Sequence, residues 1–170
     1  MTAISFTVLG TPAPKGSNRA MLIGGRARFV PGGSKVNADK QRSFSSAIRD
    51  QIARTIGDSS NGPCFVNRAL AVELVFRLAR PGSHWSKKPG GGLLPKAPIA
   101  PAVKPDIDKL ARQVCDVLTG SIFDDDSRIV ELVVRKEYAD PGREGASITV
   151  DEWRPYGSMG TKLLTKDGES

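Results

Sequence analysis

The chain has 170 residues, 39% of them hydrophobic and 25% charged, with a net charge of +7. That length fits one domain with a core of its own, and the apolar content is ordinary for a globular protein. Charged, Gly or Pro residues interrupt every apolar run before it reaches a membrane span, and Met1 to Phe6 lacks the basic-then-apolar layout of a signal peptide, so a cytoplasmic protein is expected. The two cysteines, Cys64 and Cys115, match no metal-ligand spacing, and a reducing compartment disfavours a disulfide, which leaves buried or indifferent thiols.

Ile4, Phe6 and Val8 alternate with Ser5 and Thr7, the period of a first strand. It stops at the Pro/Gly-rich run Gly10 to Gly16. A loop carrying Arg19, Arg26, Arg28 and Lys35 follows, with a short edge strand over Arg26 to Val30. Phe44, Ala47, Ile48, Ile52 and Ile56 recur every three or four residues and predict a helix over Asn37 to Ile56, capped by Asn37 and stopped by Gly57. Leu70 to Leu78 alternates most cleanly and predicts a strand. Arg80 to Lys104 holds so many Pro and Gly that regular structure cannot run far. Lys87, Lys88 and Lys104 make this loop basic and Trp85 adds a flat ring, which suits a nucleic-acid strand; a solvated insertion is the plainer reading.

Asp106 to Leu118 reads as a helix that buries Ile107, Leu110, Ala111, Val114, Val117 and Leu118, with Gly120 ending it. Val130, Leu132, Val134 and Tyr138 mark the next strand, and Ala146, Ile148 and Val150 a last one antiparallel to it across the Asp140-Pro141-Gly142 turn. The expected fold is α+β with two layers: one mixed sheet with two helices packed on one face. The domain covers 1–153, including the basic loop 80–104, and 154–170 forms a tail.

The charges are unevenly spread. Met1 to Lys104 carries 16 Lys/Arg against 4 Asp/Glu, whereas Pro105 to Ser170 carries 9 against 14. A basic protein thus gathers its carboxylates in two short segments, Lys104-Pro105-Asp106-Ile107-Asp108-Lys109-Leu110 and Phe123-Asp124-Asp125-Asp126-Ser127-Arg128-Ile129. A basic surface attracts a polyanion, and a carboxylate cluster repels one unless a divalent cation lies between them. Pro105 disfavours helical geometry at Lys104, so Asp106 falls at the N-cap or first turn of its helix. Asp106 and Asp108 can project to one side only if Asp106 is still extended, because in a continuous helix they diverge by about 200°. All-carboxylate donors without His or Cys select Mg²⁺, with Mn²⁺ as substitute. Such an ion can activate a water and polarise a phosphate. A helix of about 13 residues spans about 20 Å, so the second cluster meets the first only if the chain returns. Arg112 follows Asp108 by four residues and could orient a carboxylate or reach transition-state charge. The plainer readings are a helix cap, a solvated Asp turn and a surface ion pair. His84, the one histidine, has no orienting partner in the sequence for nucleophilic catalysis.

At these residues the chain resembles the RusA family of Holliday-junction resolvases of bacteria and phages. That family carries a Lys-Pro-Asp-Leu-Asp-Asn-Leu type segment opening a helix, then an Asp-Asp-Ser/Ala-Gln-Ile/Val type segment opening a strand. Here they read Lys104 to Leu110 and Asp125 to Ile129. The resemblance implies metal-binding Asp106, Asp108 and Asp126 with Asp125 as acidic neighbour, and a catalytic group of Asp106, Asp108, Asp126 and Arg112. Arg112 stands where many members have a lysine, Lys109 where Asn is usual and Arg128 where Gln is usual; Asp124 is an extra acid. DNA contacts are expected from Lys15, Arg19, Arg26, Arg28, Lys87, Lys88, Lys104 and Lys109. The resemblance also implies a homodimer that cuts four-way DNA junctions in a Mg²⁺-dependent reaction, in a bacterial or phage-infected cytoplasm. A non-catalytic branched-DNA-binding protein and a nuclease for flaps or forks are the alternatives.

Overall fold

The order of burial along each strand sets the architecture. In β1 (Ile4–Leu9), Phe6 and Val8 are buried while Ser5 and Thr7 face solvent, as their alternation predicts. In β4 (Leu70–Leu78) Leu70, Val72, Leu74, Phe76 and Leu78 are all buried, and the residues between them are half-exposed. The computed structural model describes residues 3–16, 18–31, 35–57 and 62–155. Within them β1, β4, β5 (Ile129–Tyr138) and β6 (Gly145–Glu152) form one four-stranded mixed sheet in the order β1-β6-β4-β5. β6 runs antiparallel to both β1 and β4, whereas β5 runs parallel to β4.

One face of this sheet carries both helices, α1 (Lys35–Ile56) and α2 (Ile107–Leu118). Phe44, Ile48 and Ile52 of α1 and Leu110, Val114, Val117 and Leu118 of α2 join Leu74, Phe76 and Ile148 in a single core. The other face is polar. Ser5 pairs with Thr149 and Thr7 with Ser147 by hydroxyl hydrogen bonds, and Arg135 and Arg77 bridge to Glu73 and Glu137. A two-layer α+β fold results, as the helix and strand periods predict.

Three expectations are corrected. The expected strand from Arg26 forms, but the basic stretch before it is not a loop: β2 (Asn18–Ile23) and β3 (Arg26–Pro31) pair as a separate antiparallel hairpin. Its turn, Gly24-Gly25, has φ of 60° and 73°, the left-handed geometry that a two-residue hairpin turn needs. Helix α1 begins at Lys35, so Asn37 lies inside it rather than capping it; Gly57, at φ 78°, does end it. The last strand does not pair with its predecessor. β4 lies between β5 and β6, because the six residues 139–144 are enough to step over one strand. A glycine lets β1 close on β6: a Cβ at Gly145 would collide with the Val8 carbonyl oxygen.

The segment 79–106 has little regular structure, as its composition predicts, yet it is held by its own bonds. Leu94 N donates to His84 O and Ser86 N to Gly92 O, and the Arg80 guanidinium lies 4.1 Å from the Tyr138 ring centroid. Residues 156–170, most of the expected tail, lie outside the described residues. No described helix is long and apolar enough to cross a membrane.

Candidate nuclease site

Asp106 is the N-cap of α2, with φ −67° and ψ 135°, the extended geometry that lets its carboxylate and that of Asp108 project from a helix start. A cis Lys104–Pro105 bond precedes it. The Asp106 carboxylate does not cap the helix. It accepts a 2.7 Å hydrogen bond from Lys109 Nζ, which bridges back across one turn. That ammonium, first through the hydrogen bond and then through its charge, holds the Asp106 carboxyl below its ordinary range, and Lys104 and Lys136 add to the effect. Lys109 is raised in return. Asp108 is exposed in the first turn. It forms no salt bridge with Arg112 among the described residues; Arg112 is exposed and opposes the charge of Lys109 instead.

The second cluster is built by a different device. Phe65 and Phe123 are buried side by side in a short parallel bridge, with Phe65 N donating to Ile122 O and Asp124 N to Phe65 O. This fixes the chain entering the acidic turn. Asp124, for which the sequence offers no role, accepts from Asn67 N at 3.2 Å and lies 3.5 Å from the Arg128 guanidinium, which also bonds Asn67 Oδ1 at 2.6 Å. Asp125 caps a 3₁₀ turn over Asp126–Arg128 by accepting from Ser127 N. Its bonds to Ser127 keep the Asp125 carboxyl below its ordinary range. Asp126 is exposed in the first turn, at the mouth of β5.

Within one chain these two carboxylate groups sit at opposite ends of α2. The helix has 12 residues, a length of about 18 Å. Asp106 is beside Lys136, whose Nζ bonds Val103 O and Pro105 O near the end of β5. Asp126 is beside Cys115 in the last turn of α2, where its charge adds to burial in pushing that thiol up to about 11. Among the described residues no three His, Cys, Asp or Glu side chains form a group that could hold a metal.

The residues expected on DNA are scattered. Lys15 is engaged by Asp116, and its backbone N donates to Lys109 O, so the Pro-rich run is pinned to α2. Gln41 of α1 donates to Pro14 O from the other side. Arg26 and Arg28 are exposed on the hairpin, and Lys87, Lys88 and Lys104 are exposed on the long loop. The Arg19 side chain lies outside what is described. Lys136 and Asn67 could not have been singled out from sequence, because they reach the two clusters from distant parts of the chain. A cavity of about 460 Å³ on the polar sheet face, lined by Arg77, Glu137, Asp140 and Arg143, contains none of these residues.

The model of the Endodeoxyribonuclease RusA family matches residues 14–150, a stretch that holds both carboxylate clusters. The chain belongs to the RusA family. RusA members are nucleases of Holliday junctions, acting in recombination and generally dependent on a divalent metal. A curated relative, the uncharacterized protein YqaN of Bacillus subtilis (strain 168), is 24% identical over 143 residues, covering 84% of this chain and 93% of its own. The RusA match sets the fold's chemistry at the family level: an endodeoxyribonuclease that binds branched DNA junctions.

Proposed function

We propose that this RusA member is a Mg²⁺-dependent endodeoxyribonuclease that resolves four-way DNA junctions by paired, symmetric phosphodiester hydrolysis, with Mn²⁺ as a substitute ion. The observation that carries the proposal is the pair of carboxylate groups at the two RusA motif positions, on a chain of net charge +7. Asp108, Asp125 and Asp126 are exposed, and Asp106 and Asp125 are held ionised well below neutral pH. The donor chemistry fits a hard divalent ion.

One chain offers those donors as two halves a helix length apart. The halves can share an ion only if two copies assemble, and a two-fold dimer also suits a junction with two equivalent strands. When bound, the ion supplies an activated water and positive charge at the scissile phosphate. Asp106, Asp108 and Asp126 would hold it, with Asp125 as supporting acid. Lys109 keeps Asp106 charged, and Arg112 is free to meet charge developing on the phosphate. Arg26, Arg28, Lys87, Lys88 and Lys104 would follow the DNA backbone, with Arg19 beside them; Lys15 does so only by leaving Asp116, and Lys109 only by leaving Asp106. The setting is a bacterial or phage-infected cytoplasm.

The test is incision of an end-labelled four-way junction with and without Mg²⁺, beside Asp126→Asn, a flap and a linear duplex. Symmetric, metal-dependent nicks absent from the variant are expected. Tight junction binding without nicks in any metal would leave a binding protein instead, and faster cutting of flaps or forks would change the substrate.

A further inference from the structure

Asp106 opens α2 as its N-cap, yet its carboxylate does not cap the helix, and the segment leading to it is irregular. A single side chain from β5 fixes that segment. Lys136 pairs across the sheet with Phe76 of β4, on the face that carries the helices, and Phe76 is buried there. Most lysines carry their ammonium from such a face into water. Lys136 is half-buried instead, and its Nζ donates to Val103 O at 2.6 Å and to Pro105 O at 3.1 Å. Among the described residues no backbone N–H donates to either carbonyl, and Pro105 has no N–H with which to tie itself to a neighbour. The ammonium thus gathers two carbonyls from either side of Lys104, and the second belongs to the peptide that carries the Asp106 nitrogen.

The other lysines near Asp106 act differently. Lys109 bonds the carboxylate itself, where an incoming cation displaces it. Lys104 is exposed and acts on Asp106 through its charge. Lys136 holds the backbone, with charged donors that make hydrogen bonds about twice as strong as neutral ones. We propose that Lys136 is a positioning residue for the metal: by clamping Val103 O and Pro105 O it keeps Asp106 aimed where the ion binds, before and after Lys109 lets go. The inference rests on the nuclease reading of Asp106 and adds to it a residue from outside both motifs. The sign of its effect separates positioning from charge. A cation beside a metal ligand repels the ion, so on charge alone removing Lys136 tightens metal binding. On positioning, removing it weakens binding, because an ion that must order its own ligand gives up affinity.

The test follows Mn²⁺ binding without DNA, by the electron paramagnetic resonance signal of the free ion, for the full chain unmodified and with Lys136→Met or Lys104→Met. Lys136→Met is expected to bind Mn²⁺ about 10-fold more weakly, the low end for losing a group that orients a metal ligand. Lys104→Met is expected to bind it as tightly as the unmodified chain or more so. Lys136→Gln, polar and uncharged, is read beside Lys136→Met so that a methionine chain that fails to fold does not decide the matter, and the same loss is expected. Equal or tighter Mn²⁺ binding by a folded Lys136 variant overturns the inference. Junction incision gives a second readout. The Mg²⁺ level for half-maximal nicking is expected to rise by the same factor while the rate at saturating Mg²⁺ holds; a lower rate with an unshifted Mg²⁺ requirement also overturns the inference. Lys136-dependent Mn²⁺ binding by a chain that never nicks a junction sinks the nuclease reading alone. Nicking whose Mg²⁺ requirement is indifferent to Lys136 sinks the positioning role alone.

Discussion

The two acidic clusters differ in how they are held. At the start of α2, Asp106 and Asp108 are steadied by charge: Lys109 bonds Asp106 directly, and Lys104 and Lys136 act on it through space. At the start of β5, Asp124 and Asp125 are steadied by hydrogen bonds from the backbone N–H groups of Asn67 and Ser127 and by the Arg128 guanidinium 3.5 Å from Asp124, over a base of two buried phenylalanines. The first arrangement can yield when a divalent metal ion takes the lysine's place beside Asp106. The second cannot move without undoing the turn. One cluster is therefore adjustable and the other rigid.

The largest test of that contrast is chemical. Asp126→Asn and Asp108→Asn are each expected to lower junction nicking on the order of 10³-fold, the scale of a lost charge contact in a transition state, while gel-shift binding persists. Next, mixed dimers of Asp106→Asn and Asp126→Asn chains are expected to recover roughly a quarter of the nicking, because half the dimers are mixed and each holds one intact two-chain site. No recovery would mean that each site is built within one chain.

Smaller effects separate the two modes of support. Asp124→Ala leaves the Asn67 N–H without its acceptor and Arg128 without its ion-pair partner and is expected to cost about 1–2 kcal/mol in urea unfolding, whereas no loss of that size is expected from Lys109→Met. That substitution should instead raise the Asp106 titration toward 3.8, read by carboxyl NMR. The sign follows from the lowered value: whatever Asp106 ionisation contributes to the fold is present above the unfolded value and lost as pH falls through the folded one, so the small contribution of this exposed pair is present at neutral pH and absent only in acid. Least of all, Cys115, buried and pushed up to about 11, should resist iodoacetamide at pH 8, while half-buried Cys64 reacts first; mass spectrometry reads the difference.

Much of this could be read from the chain. The strands at Ile4–Leu9 and Leu70–Leu78, the second helix and the Asp106 cap follow from period and from Pro105. Of the β2–β3 hairpin, the strand from Arg26 was legible but its partner was hidden, because Asn18 to Ile23 does not alternate and only the Gly24-Gly25 turn hints at it. Asp124 looked like a spare acid because its partners are 57 residues back and four residues on.

Local signals fixed what each segment is: residue period, turn chemistry and the two Asp motifs act over a few neighbours and are written in order along the chain. Only the tertiary structure decided which segments meet. It put β4 between β5 and β6, set the carboxylate groups at opposite ends of α2 and left β5 bare at the edge of the sheet. Those outcomes depend on which faces can be buried together, a property of the packed chain that no short stretch of sequence carries.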